Sequence, residues 1–398
     1  RIPVKGLLDG VEGGSVELTG MPQLIAAVMR DTGDPYEILL FAPFFLDQND
    51  TITEHMLEGQ PEEVFRRSIV GIQFYEGLLL ALDSLTRKGM RFNIQVVDSD
   101  RSLTKVQEVI KNPNLKRPDM IIGPFYKQLF KPVAKFAFQN CIPIFSPTMR
   151  DMNIIGYNNY VLQSDPDKQS TLRVLGRYIS LQSDTANYVL GHYNRPNEQQ
   201  LQIDFRKGFE TLGTDSLPDL KVIDLESGTF NDLKNSLDPT VPNHIIVLTE
   251  NEASVSKLMR SMIEWLEDHE VILYSPESWA KFKNVDVEYF DQLRHHRPEN
   301  LFIDFNSNNV KEFNLLYRET FGTEPGTFAF KGYDMGLQIL AYSDSLRSVG
   351  PKGLSDIPLS KGLQQSFTWK QSNAGHWINT SSFILRLNDL QLEMVDQH

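Results

Sequence analysis

The chain has 398 residues, more than one hydrophobic core usually spans, so two lobes are expected. Its 40% hydrophobic and 23% charged residues are ordinary for a globular protein, and no apolar run approaches the roughly 18 residues needed to cross a bilayer. The net charge of −13 excludes a surface built to grip a phosphate backbone or an anionic bilayer, and otherwise reads as a means of staying soluble.

The chain opens at Arg1 without a methionine or a signal-like stretch, and reads as a mature form or fragment. Residues 1–35 carry several glycines and one apolar patch, Leu24 to Met29, which predicts a tether containing a short helix. From Tyr36 a strand–helix alternation begins. Ile38 to Ala42, an apolar run ended by Pro43, predicts a buried parallel strand. A polar loop from Asp47 to Gln60 follows, and Pro61-Glu62-Glu63 reads as the opening of a helix that ends before Gly89. Its apolar face is Ile72, Tyr75, Leu79 and Leu82. Strands are expected at 92–97, 120–122 and 142–145, with helices at 103–111 and 127–140 between them. Cys141, the only cysteine, precludes an intrachain disulfide; its apolar strand surroundings imply a buried, inert thiol.

After a short strand at 159–163, Ser164-Asp165-Pro166 reads as an N-cap and turn. The alternation then restarts, with strands at 187–193, 220–225, 244–249 and 270–274 between helices at 167–182, 198–212, 230–237 and 252–267. The last third differs: a strand at 300–305, helices at 308–321, 328–347 and 359–366, and a closing hairpin of 381–388 and 390–395. The expected architecture is α/β, with two Rossmann-like lobes, each on a parallel central sheet, joined by a hinge that the chain crosses several times. Lobe 1 takes 36–163 with 308–370, and lobe 2 takes 164–307 with 371–398.

One stretch organises the functional reading. Between Met120 and Arg150 two apolar strands break off into polar turns, Phe125 to Gln128 and Ser146 to Arg150. In a parallel sheet both turns lie at the carboxyl edge, where doubly wound folds place their ligand crevice. Phe44, Phe45, Phe125 and Tyr126 make its mouth aromatic, though Phe44-Phe45 reads equally as packing beneath the 47–60 loop.

Five ordered motifs over about residues 36–395 resemble the type I periplasmic binding proteins, specifically their leucine-binding-protein-like branch. They are Phe74-Tyr75-Glu76-Gly77, Ile121-Ile122-Gly123-Pro124 and Ile142-Pro143-Ile144-Phe145-Ser146-Pro147, then Phe313 to Tyr317 with Phe321-Gly322, and Lys331-Gly332-Tyr333-Asp334. The resemblance implies a two-lobed clamp that closes on a small solute, often an amino acid, for an ABC permease or a sensor. It implies contacts from Thr148 and Arg150, the third and fifth residues of the Ser146 to Arg150 segment, from Tyr193 and Asn194, and from Glu277 to a ligand ammonium; Ser146 is a further candidate on the same turn. Lys127 and Arg150 stand where the family usually presents small hydroxyl residues, which points away from a simple neutral amino acid.

Each residue has a plain alternative. Arg150 suits a bidentate clamp on a carboxylate or phosphate, or an ion pair with Asp151. Lys127 could answer an anion or sit solvated in a helix's first turn. Ser146 and Thr148 could bind ligand or satisfy their own turns. His295-His296 shows no zinc spacing and reads as a solvated loop.

No G-x-S-x-G, H-E-x-x-H, P-loop or G-x-G-x-x-G signature is present, so no enzyme, cofactor or metal is expected. The expected role is an extracytoplasmic solute-binding protein of the periplasm or envelope, its ligand amino-acid-like or a small anion. The alternative is an envelope interaction module regulating peptidoglycan synthesis; Arg1-Ile2-Pro3, which resembles the end of a LysM repeat, would then imply a peptidoglycan anchor upstream.

Overall fold

A computed structural model of the chain describes residues 34–49, 64–150, 155–182, 185–211, 218–226, 229–355 and 357–397. The expected tether, the LysM-like residues and the Pro61-Glu62-Glu63 helix opening lie outside them. Two compact units form: one runs to Asp165 and adds Ile303–Asn379, and the other is Pro166–Phe302 with the residues from Thr380 onward.

The elements of the first unit begin with β1 (Tyr36–Ala42), α1 (Ile69–Arg87), β2 (Phe92–Asp98) and α2 (Leu103–Lys111). They continue with β3 (Met120–Ile122), α3 (Lys127–Gln139), β4 (Ile144–Phe145) and β5 (Val161–Gln163). The second unit holds α4 (Lys168–Ser180), β6 (Asn187–His192), α5 (Pro196–Phe209), β7 (Leu220–Asp224) and α6 (Phe230–Asn235). It goes on through β8 (Asn243–Val247), α7 (Glu252–Trp265), β9 (Val271–Tyr274), α8 (Val287–Gln292) and β10 (His296–Glu299). The chain then returns to the first unit with α9 (Asn308–Phe321), α10 (Thr327–Leu340) and α11 (Ser343–Val349). Short strands β11 (Ser360–Lys361), β12 (Ser366–Phe367), β13 (Trp369–Gln371) and β14 (Trp377–Asn379) follow there. The hairpin β15 (Phe383–Asn388) and β16 (Gln391–Gln397) closes the second unit.

The first sheet runs β2-β1-β3-β4-β5-β14-β13, parallel except for its last pair. The second runs β7-β6-β8-β9-β10-β15-β16, its first five strands parallel and the closing hairpin antiparallel. Each core sheet thus has the doubly wound order, with the winding direction reversing beside the first strand. β1 shows why such a strand must be apolar throughout. Ile38 and Leu40 enter the core shared with α1, while Leu39 and Phe41 enter the core shared with α3.

Close helix packing supports both sheets. In the first unit, a Cβ on Gly77 of α1 would stand 1.9 Å from the Ala329 carbonyl oxygen of α10. A Cβ on Gly332 of α10 would stand 2.1 Å from the Phe74 carbonyl oxygen of α1. Two of the motif glycines therefore serve helix approach. In the second unit Gly176 of α4 and Gly208 of α5 repeat the arrangement against Phe205 and Arg173.

Several expectations need correction. α1 does have the length and apolarity of a membrane span, but most of its apolar side chains, Phe74, Tyr75, Leu78, Leu82 and Leu85 among them, are packed into the first core. The helix expected at 359–366 is instead the β11–β12 ribbon. The buried Asp334 carboxylate accepts the backbone N–H groups of Leu363, Gln364 and Gln365, at 2.7, 2.7 and 2.9 Å, which diverts donors a helix would need. The strand expected at 300–305 lies earlier, as β10, where it pairs with β9 and β15. His295 and His296 are accordingly buried rather than solvated: His296 stacks on Tyr274, and His295 Nε2 meets the Ser275 hydroxyl at 2.7 Å. Cys141 is exposed, in a left-handed turn after α3 with φ of 53°. Asp167, not Ser164 or Asp165, caps α4 by accepting the Ser170 N–H at 2.7 Å. The 328–347 helix breaks at Tyr342 into α10 and α11. Residues 371–379 stay with the first unit, past the expected division at 370, because β14 pairs in parallel with β5.

Candidate functional site

In the first unit the winding reverses between β1 and β3, and the segments leaving their carboxyl ends build the candidate site. After β1, the Asp98 carboxylate at the end of β2 accepts the backbone N–H groups of Phe44, Phe45 and Leu46, at 2.9, 3.1 and 2.9 Å. After β3, Gly123 adopts φ of 86°, and a Cβ there would lie 2.2 Å from the Phe41 carbonyl oxygen. Only glycine lets the chain turn this close to β1.

Two hydroxyls stitch the turn after β4 to the turn after β3. Ser146 Oγ donates to the Pro124 carbonyl at 2.8 Å, and Thr148 Oγ1 donates to the Phe125 carbonyl. Both satisfy the neighbouring turn rather than their own, and they hold the lip in one shape.

A concavity of about 550 Å³ opens beside this lip. Pro43, Val70, Phe125, Tyr126, Met149 and Phe328 make up its apolar lining. Lys127, Thr148 and Arg150 supply its polar groups. The size and the mixture of apolar wall with few polar anchors suit a small organic ligand. Arg101 lies over the Tyr126 ring at 4.8 Å and braces it by cation–π attraction.

Behind the concavity is an ion network that sequence reading missed. Arg150 Nε donates to Asp165 Oδ2 at 3.1 Å, so Arg150 has Asp165 as a partner, 15 residues along. The other oxygen of Asp165 accepts from Lys331 Nζ at 2.7 Å, with both side chains buried. Gln365 Nε2 donates to Asp165 Oδ1 at 3.2 Å and to the Ser164 carbonyl at 2.8 Å. Asp165 is the last residue before the chain passes into the second unit. The Lys331-Gly332-Tyr333-Asp334 motif was the one available signal, and it did not reveal the partner.

The structure brings together Phe125, Tyr126, Lys127, Thr148 and Arg150 of the expected residues. Ser146 is fully buried behind them. Phe44 turns inward, edge-on to Tyr75 with ring centroids 5.8 Å apart, and belongs to the core. In the second unit Tyr193 is buried under Arg195, whose guanidinium lies 4.6 Å from the ring centre. Its backbone N–H donates to Glu198 at 3.1 Å, and burial raises its phenol pKa. Asn194 is exposed and accepts from Gln199 at 3.1 Å. Glu277 opens a 3-10 turn after β9 and accepts from Asn300 Nδ2 at 3.2 Å. These three residues sit at the carboxyl ends of β6 and β9, the corresponding edge of the second sheet. Trp279 donates its indole N–H to the Thr249 carbonyl at 2.7 Å and is core. Among the described residues no group of three or more His, Cys, Asp and Glu side chains is arranged to hold a metal.

Two units of one winding order, completed by strands from the end of the chain and joined by three crossings, define the type I periplasmic binding protein fold. Solved structures of that fold match over nearly the whole chain. A Rhodospirillum rubrum protein assigned to branched-chain amino acid ABC transport is 13% identical, covering 91% of this chain and 100% of its own, with a TM-score of 0.58. A branched-chain amino acid ABC transporter periplasmic ligand-binding protein from Burkholderia xenovorans is 11% identical over 91% of this chain and 95% of its own, with a TM-score of 0.54. An ABC-type branched-chain amino acid transporter protein from Rhodopseudomonas palustris is 12% identical over 92% and 96%, again with a TM-score of 0.54. No protein-family model and no curated protein matches the sequence.

Proposed function

We propose that the chain is an extracytoplasmic solute-binding protein that takes up a small polar ligand and presents it to an ABC permease or a sensor. The observation that carries this reading is the concavity beside the β1/β3 reversal, with Lys127, Thr148 and Arg150 set in an apolar lining. Its likeness to solute-binding proteins in fold supports the role, and the role in turn favours a periplasmic or envelope location. Binding, rather than catalysis, is the task proposed for this site.

Calorimetric titration and thermal shift with amino acids, small organic acids and phosphate test the proposal. A true ligand at a hundredfold over its dissociation constant should stabilise the protein by about 2.7 kcal/mol. Arg150→Ala should weaken an anionic ligand at least tenfold while the unliganded melting point barely moves, because Lys331 still holds Asp165. Equal affinity in that variant would take Arg150 out of the site; no binding across all three classes would sink the solute-binding reading.

A further inference from the structure

We infer that a surface groove of the first unit, between α2 and α3, docks an acidic segment of a partner protein that carries apolar side chains beside its carboxylates. The groove has a volume of about 470 Å³ and shares no described lining residue with the concavity above. α3 gives it Gln128, Lys131, Lys135 and Phe138, spaced three, four and three residues apart along one helical face. α2 adds Leu103 and Gln107, and the segment before β5 adds Ile155 and Tyr157. Three of these apolar side chains lie open to solvent: Leu103 is 44% exposed, Phe138 42% and Tyr157 67%. Large apolar groups that converge on one exposed place, rimmed by polar residues, mark a contact surface.

Buried hydrogen bonds hold the aromatic part of this surface in place. The Asn158 side chain, itself buried, donates to the Ala134 carbonyl of α3 at 2.9 Å, and its backbone N–H donates to the Ala374 carbonyl at 3.1 Å. His376 Nε2 donates to the Gly156 carbonyl at 2.7 Å. Gly375 makes room for the Tyr157 ring, since a Cβ there would stand 2.9 Å from it. The turn bearing Tyr157 is thus tied to α3 and to the β13–β14 turn, and docking has little left to order. Charge complementarity sets the partner's chemistry. Lys131 and Lys135 are the charged groups among the described lining residues, and neither has an ion-pair or hydrogen-bond partner among the described residues. Four residues apart on one helix, they repel each other and disfavour α3 itself, a cost that carboxylates laid across them would relieve. From Gln128 to Phe138 the cationic and aromatic face extends about 15 Å at the rise of a helix, a length that suits a stretch of chain better than a compact solute.

A random peptide library displayed on phage, depleted on the Tyr157→Ser chain and then selected on the parent full chain, tests the inference. Selected peptides should combine Asp or Glu with aromatic or aliphatic residues. In fluorescence anisotropy Lys131→Glu/Lys135→Glu should weaken them at least tenfold, and the same peptides with their acids replaced by lysine should regain affinity for that variant, a rescue that a misfolded chain could not give. Lys257→Glu/Arg260→Glu, an equal change of charge on α7 of the second unit, should leave binding unchanged. The inference is overturned by an empty selection, by peptides without acids, by binding that survives the reversal at 131 and 135, by failure of the charge-swapped pair, or by an equal loss with the reversal at 257 and 260. Concentration-dependent self-association of the chain that Tyr157→Ser abolishes would overturn it too, because the groove would then belong to a second copy.

Discussion

Asp165 ties three segments of the first unit together, since it receives Lys331, Arg150 and Gln365 at the end of β5. A buried ion pair is weak support for stability in itself, but removing one partner leaves a desolvated charge. Lys331→Met should therefore destabilise the first unit by about 3 kcal/mol, at the low end of the range for broken buried pairs because Arg150 and Gln365 remain. The double variant Asp165→Asn/Lys331→Met should recover part of that loss in urea titrations. A single variant within about 1 kcal/mol of the parent chain would show that the pair is not energetically coupled. None of this was legible in sequence, where Asp165 and Lys331 are 166 residues apart. Lys127 and Arg150 were legible because the turn after a parallel strand places side chains at a known edge. Phe44 shows the limit of that logic: turns have no periodicity, and the inward direction of its ring is set by Asp98 and Tyr75.

At the scale of elements, apolar alternation was enough to read most of both sheets, since a parallel strand buried on two faces has little freedom in composition. Where that reading failed, buried polar groups had taken over the backbone. Asp334 converts 362–365 into a turn, and the Ser275–His295 hydrogen bond helps to seat β10 where the residues look solvated. The reciprocal glycines were visible as motif letters, but their work depends on the helix that faces them. Ala substitution at Gly77 or Gly332 would force α1 and α10 apart, because the obstructing atoms are backbone carbonyls that cannot rotate away. Either change should cost about 2 kcal/mol or more, at or above the middle of the usual overpacking range. Gly89→Ala is the matched control, since it meets nothing within 4 Å and bears only the strain of φ at 94°; it should cost about 1 kcal/mol. Chemical denaturation of all three variants checks the order, and a control as damaging as the helix variants would remove close packing as the cause.

Across the whole molecule, buried titratable groups are distributed unequally. The first unit holds carboxyls pushed up by burial: Glu76 to about 7, partly offset by the Tyr317 hydroxyl, and Asp334 to about 7 despite its three backbone donors. The second holds imidazoles pushed down by burial, His244 and His296 to about 4 and His295 also well below its ordinary value. An acid with a raised folded pKa contributes stability that is full below its unfolded value and is lost as pH rises through about 7. A histidine with a depressed folded pKa contributes stability that is full above its unfolded value of about 6.5 and is lost as pH falls through about 4. Between these limits the units should respond in opposite directions, with His376 trimming the effect in the first. Hydrogen exchange corrected for intrinsic rates, compared at about pH 4.5 and pH 7.5, should therefore show core amides of β6 and β8 losing protection on acidification while those of β1 and α1 gain it. Glu76→Gln should flatten the response of the first unit and leave the second unchanged, since Glu76 and its Tyr317 partner both lie in the first. Parallel responses in the two units would mean that the raised carboxyls and the depressed imidazoles do not govern their stabilities.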